Sequence, residues 1–232
     1  MCIIYLCVLD LPDLVPSKKH LVDSIKKYPM ISKRTVQSLS CEIEEGCISN
    51  ETISHNPLSV RQLLKFTVFS YNFGLVDAKP FANEQEWDYH TCHSHYHSVE
   101  EFAIFDLLNL SGERVTESLK ASFCLMDSSC IESFGQTRKY SCSPQTPKSV
   151  RQTNQGITKG CGDAYGRSTP CQWLDVTDVP DGVYTLLITV NPSNGILELD
   201  YENNQLSCAI SLKSKDNSDR RTKLINCLRR GE

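Results

Sequence analysis

The densest chemistry in this chain lies at residues 87–97, reading WDYHTCHSHYH, which hold four of its six histidines. The spacing of His93, His95 and His97 carries the reading. On a helix, residues two apart point about 200° from one another and cannot share a ligand. On a strand every second side chain faces the same way, so all three imidazoles project from one face. Three neutral imidazoles on one face suit copper, zinc, iron or nickel. Without a metal, crowding three bases there would only depress their protonation; a solvated histidine run is the plainer alternative. Cys92 alternates to the opposite face and is available for a disulfide. His90 falls outside the alternation and is expected to hydrogen-bond nearby or to face solvent, while His20 and His55 stand isolated and receive no role.

A second group is built from oxygen. Glu198, Asp200, Asn203 and Asn204 lie within seven residues, and carboxylates with carboxamides suit calcium; a polar turn after a strand is the competing reading. The twelve cysteines include no CxxC pair, which argues for an oxidising compartment and disulfides over a thiolate metal site. Close pairs, Cys41 with Cys47, Cys124 with Cys130 and Cys161 with Cys171, would each add roughly 2 to 3 kcal/mol as short loops. Two sequons, Asn50-Glu51-Thr52 and Asn109-Leu110-Ser111, fit the same secreted, extracellular location.

The elements that must hold these residues read as mostly β. Alternation is clearest at 63–71, 101–110, 121–126, 184–191 and 205–212, with one or two short helices expected in 16–38. Residues 133–159 are polar and read as a long surface loop, and the charged tail from 213 is expected to be pinned by Cys227. The 232 residues, 40% hydrophobic, can bury one sizeable core. We expect a single compact β-sandwich-like domain over 11–232, with long loops and several disulfides. Residues 1–10 carry a short apolar stretch, too weak for a signal peptide, and read as a remnant of a signal or propeptide segment. A net charge of −4 argues against a dedicated nucleic-acid binder, and no apolar run is long enough to span a membrane.

Residues 87–108, WDYHTCHSHYHSVEEFAIFDLL, resemble the copper-binding signature of lysyl oxidases. The resemblance extends from about 11 to 208 through LPDLV at 11–15, KASFCLMDSSC at 120–130, GCGDAYG at 160–166, CQWLDVTDV at 171–179 and DYENN at 200–204. It implies Cu(II) on His93, His95 and His97. It also implies a self-made lysine tyrosylquinone joining Lys120 to Tyr165. Calcium is implied on Asp13, Leu14, Glu198, Asp200, Asn203 and Asn204. The implied disulfides are Cys41–Cys47, Cys92–Cys142, Cys124–Cys130, Cys161–Cys171 and Cys208–Cys227, with Cys2 and Cys7 preceding the matched region.

The implied activity is oxidative deamination of peptidyl-lysine or another primary amine. Dioxygen is consumed, an aldehyde, ammonia and hydrogen peroxide are released, and collagen- or elastin-like matrix becomes cross-linked. Ordinary side chains offer no electron sink for this oxidation, which is why a quinone is needed. Against the family pattern, Val99 stands where Met is common, and Ile104-Phe105 replaces a His-Tyr pair, removing a candidate acid/base. Asp163 then becomes a candidate base. The tail beyond Cys208 is basic and unlike the usual ending. The alternative function is a secreted, disulfide-rich copper-binding module without turnover.

Overall fold

The computed structural model describes residues 10–27, 30–45, 48, 53–81, 84–90, 94–116, 119–142, 154–216 and 219–230, without the side chains of 27, 119, 120, 215, 216, 219 and 220. The element order is β1 (Leu14–Pro16), α1 (Lys18–Lys27), β2 (Ile31–Thr35), α2 (Ser40–Glu44), β3 (Val60–Lys65), β4 (Val68–Asn72), β5 (Asp88–His90) and β6 (His95–His97). There follow β7 (Val99–Leu108), β8 (Leu119–Phe123), β9 (Ser129–Cys130), β10 (Cys161–Tyr165), β11 (Trp173–Asp175), β12 (Gly182–Val190), β13 (Gln205–Asp216) and β14 (Asp219–Arg229).

The largest sheet has the order β14-β13-β12-β7-β8, and beside it stand β1-β4-β10-β9, β11-β3-β2 and the hairpin β5-β6. Strand β12 shows why the chain folds this way. In GVYTLLITV its buried positions alternate from Tyr184 through Leu186 and Ile188 to Val190, which presents one apolar edge every second residue. That edge meets Phe102, Phe105 and Leu107 from β7, Leu64 from β3, Val68 from β4 and Leu174 from β11, all in one buried cluster. Three sheets therefore share a core, as expected for a mostly β, sandwich-like chain. Each such side chain contributes about 1.5–3 kcal/mol on burial.

Several expected boundaries shift. The run 63–71 is two strands, because the chain leaves the sheet at Phe66-Thr67 and β4 joins a different sheet. Within 16–38 one helix, α1, is followed by strand β2 and a 3₁₀ turn at Val36–Leu39. The tail is more ordered than expected: β14 forms a long antiparallel ladder with β13, and Cys208–Cys227 crosses it between direct partners.

The disulfide pairings are the main correction. Cys124 pairs with Cys142 and Cys130 with Cys161, so the implied Cys92–Cys142, Cys124–Cys130 and Cys161–Cys171 bridges do not form. The reason is strand registry. Cys130 and Cys161 face one another across β9 and β10 with Cα atoms 3.8 Å apart, whereas nearness in sequence brings no such Cβ approach. Cys171 and Cys41 are also disulfide-bonded. Cys47, Cys92, Cys2, Cys7 and the Asn50 sequon lie outside the described residues.

Candidate metal and cofactor site

The hairpin β5-β6 sets the histidines. His90 and His95 are cross-strand partners, and Ser94 takes a left-handed conformation, φ 57°, with its amide donating to the His90 carbonyl at 2.8 Å. Few non-glycine residues adopt that conformation, so the turn aims the strand that follows. On β6 the side chains alternate as the sequence predicts. His95 Nε2 and His97 Nε2 approach to 3.2 Å, and His97 is buried. Two nitrogens at about 2.0–2.1 Å from one ion lie roughly 2.9 Å apart at a right angle and roughly 3.4 Å apart at a tetrahedral angle. The observed separation falls between these, so the pair fits one ion. Among the described residues no set of three His, Cys, Asp or Glu side chains gathers as a metal cluster. His93, the third of the alternating set, lies outside them.

Two residues that sequence reasoning missed complete this neighbourhood. Ser122, on β8, bonds His97 Nδ1 through its hydroxyl at 2.8 Å, and its carbonyl accepts the Tyr165 hydroxyl at 2.7 Å. One residue thus touches both the histidine strand and the tyrosine of β10. Its position midway through KASFC was the available signal. Glu45, just past α2, pairs with His90 Nδ1, and His90 stacks on His97 with centroids 3.7 Å apart. The expectation that His90 hydrogen-bonds locally fits this geometry; nothing in the sequence linked it to Glu45.

Tyr165 is buried and stacked face to face on Phe123. Burial, with the Asp163 charge adding, raises its phenol well above the usual range. Lys120 lies in β8 opposite Ile104 on β7, two residues from Ser122; its side chain is outside the description. Between Val99 and Ala103 the β7–β8 ladder shifts register, an irregularity of the kind that re-aims side chains beside active sites. The adjacent Glu100 and Glu101, which interrupt the alternation, mark it in the sequence. Asp163 is buried, and burial raises its carboxyl to about 7. Its oxygens accept from Met126 N at 3.1 Å and Ser128 Oγ at 3.0 Å.

The oxygen-rich group also assembles. Asn203 Nδ2 donates to both Asp13 oxygens at 3.0 and 3.2 Å. Glu198 accepts from the Leu14 amide and from Asn204 Nδ2, the latter at 2.8 Å. Asp200 caps its own turn by accepting from the Glu202 amide at 2.7 Å. Asn203 Oδ1 and Asn204 Oδ1 are buried without a hydrogen-bond partner, which costs about 1–3 kcal/mol each unless something binds them. A hard cation would satisfy both, so the residues fit calcium. Burial raises Glu198 to about 7 and also raises Asp13, whose carboxyl Asp200 lifts further. The missed member is Asn191, at φ 48°; its side chain bonds Ile196 at both N and O and reaches Glu198. The Asn-Pro pair at the end of β12 was its turn signal.

The family model described as lysyl oxidase matches residues 12–227. Lysyl oxidase homolog 4 of Mus musculus is 37% identical over 203 residues, 87% of this chain and 25% of that protein. Lysyl oxidase homolog 2A of Danio rerio is 38% identical, covering 87% and 26%. Lysyl oxidase homolog 1 of Homo sapiens is 38% identical, covering 86% and 33%. The chain spans about a quarter to a third of the length of these relatives.

Proposed function

The chain belongs to the lysyl oxidase family, and from that premise we propose that it is a copper-dependent amine oxidase acting on lysine side chains or other primary amines. The observation that carries the reading is the pair of converging imidazoles joined through Ser122 to a buried tyrosine. His93, His95 and His97 would hold Cu(II). Lys120 and Tyr165 are the proposed precursors of a lysine tyrosylquinone, which supplies the electron sink that amine oxidation requires.

The residues of the chain have separable tasks. If His97 held copper through Nε2, its Nδ1 would carry the ring proton and donate a hydrogen bond to Ser122 Oγ, which would fix tautomer and ring orientation. The Ser122 carbonyl holds the Tyr165 hydroxyl, and Phe123 covers one face of its ring, excluding water there. The Glu45 carboxylate beside His90 steadies the ring stacked over His97. Asp13, Leu14, Glu198, Asp200, Asn203 and Asn204 would hold calcium and tie β1 to the turn before β13.

With dioxygen as oxidant and water for hydrolysis, the reaction would convert the amine to an aldehyde with release of ammonia and hydrogen peroxide. Collagen- or elastin-like matrix proteins are the proposed partners and the extracellular space the proposed location. The disulfides fit an oxidising compartment, and among the described residues no helix is long and apolar enough to cross a membrane. Peptide mass spectrometry on copper-loaded protein from a eukaryotic host tests the reading. One cross-linked species joining the Lys120 and Tyr165 peptides, at the mass of an oxidised ring, is the expected result. Its absence in copper-loaded, fully disulfide-bonded protein would replace the oxidase with a copper-binding module.

A further inference from the structure

Charge is unevenly distributed along this chain. Residues 213–232 hold seven of its 24 Lys and Arg but three of its 28 Asp and Glu, a net +4, which leaves the other 212 residues at −8. The β13–β14 ladder turns part of that excess into a surface. Lys213 stands directly opposite Arg221, and Ser211 directly opposite Lys223. Opposed residues share a sheet face, so Lys213, Arg221 and Lys223 project together. The other face of the ribbon carries Ile210 and Leu212 into the core. All three cations are exposed.

This arrangement opposes folding electrostatically. Directly opposed strand residues have Cβ atoms about 5 Å apart, and like charges there are destabilising. Some exposed cations elsewhere have acids beside them, as Arg114 has Asp106 and Arg230 has Glu202. Lys213, Arg221 and Lys223 have no ion-pair partner among the described residues. Asp181, at the start of the neighbouring strand, is engaged instead by the Ser214 amide at 2.7 Å and hydroxyl at 2.8 Å. An uncompensated cationic row on an acidic protein is what a polyanion would relieve.

We propose that the outer face of the β13–β14 ribbon, centred on Lys213, Arg221 and Lys223, docks a linear sulfated polysaccharide. The ribbon is open, which suits a polymer crossing the strands. Sulfates repeating along a chain match cations repeating along a strand, and the guanidinium fork suits their planar oxygen pairs. The disulfide set fits the extracellular side of the membrane, where long polyanions are sulfated glycans. The acidic remainder of the protein repels such a polymer and confines it to this face. The inference is independent of the copper and quinone reading.

The test is binding of the full chain to immobilised heparin across a salt series, for the wild type and for Lys213→Gln/Arg221→Gln/Lys223→Gln. The triple variant should bind at least about tenfold more weakly near physiological salt, with the slope of log K against log salt reduced by about two to three. Its thermal midpoint should stay level or rise, because a like-charge contact has been removed; a purely structural role would lower it. Lys213→Arg/Lys223→Arg, which keeps the charge, should bind like wild type. Equal heparin binding by the glutamine variant would overturn the proposal. Polyglutamate or duplex DNA competing as well as heparin at equal charge would overturn it too, replacing the sulfated glycan with an acidic protein or nucleic acid.

Discussion

The histidine site and the oxygen-rich site gather their side chains in opposite ways. His95 and His97 are neighbours on one three-residue strand, and alternation alone turns both rings to one side. Asp13 and Asn203 meet across 190 residues of chain, brought together only when β1 and the turn before β13 are docked. The first site is preformed by local backbone geometry and needs little besides Ser122 to orient it. The second is a product of the finished fold, and its unpartnered carboxamide oxygens record what that assembly cost. A local site should therefore be lost by single substitutions with the fold intact. A distributed site should report on the fold itself.

Four variants break or sharpen that contrast. His97→Ala should lower copper affinity by more than about 100-fold and abolish peroxide release with a simple primary amine. Copper stoichiometry and peroxide assays read this, and any stabilisation by calcium should survive. Ser122→Ala, which removes only the oxygen on His97 Nδ1, should cost about 10- to 100-fold in copper affinity, measured by competition with a chelator. Retained affinity would mean that the hairpin alone orients the ring.

On the other side, calcium at about 100 times its Kd should stabilise the wild type by about 2.7 kcal/mol. Asn203→Ala/Asn204→Ala should lose most of that gain in a thermal melt while keeping copper binding. A pH-dependent effect belongs to Asp163, whose carboxyl burial raises from 3.8 to about 7. Since the folded value lies above the unfolded one, its contribution to stability is complete below pH 3.8 and is lost as pH rises through about 7. Asp163→Asn should flatten the stability profile across that window. An unchanged slope would assign the pH dependence to other groups, Glu198 first among them.

The sequence was most legible where one element suffices. The alternation of His95 and His97 and the β character of 184–191 followed from period-two patterning, because a strand's faces are set by its own backbone; the pinned tail followed from Cys227. It was least legible where partners are chosen by docking. Cys130 finds Cys161 across two strands of a sheet that no local pattern announces, and Glu45 reaches His90 from a separate helix end. The oxygen-rich cluster lies between these extremes. Its four C-terminal residues sit within one turn and were visible, while Asp13 and Leu14 came only from family resemblance and Asn191 was not seen at all.

The base of the polar loop is fixed more firmly than its composition suggests. Asp127 accepts from the amides of Lys139, Tyr140 and Thr158 and from the Thr158 hydroxyl. The Ser141 amide donates to the Asn154 carbonyl at 3.0 Å, and Cys142 is bonded to Cys124. Whatever chain joins 142 to 154 therefore departs from and returns to a clamped pair of ends. Doubling such a connection costs only about 0.6 kcal/mol in closure entropy. Strain from a peptide epitope inserted between those ends should therefore be held at Asp127 and the Cys124–Cys142 bridge rather than reach the strands beneath.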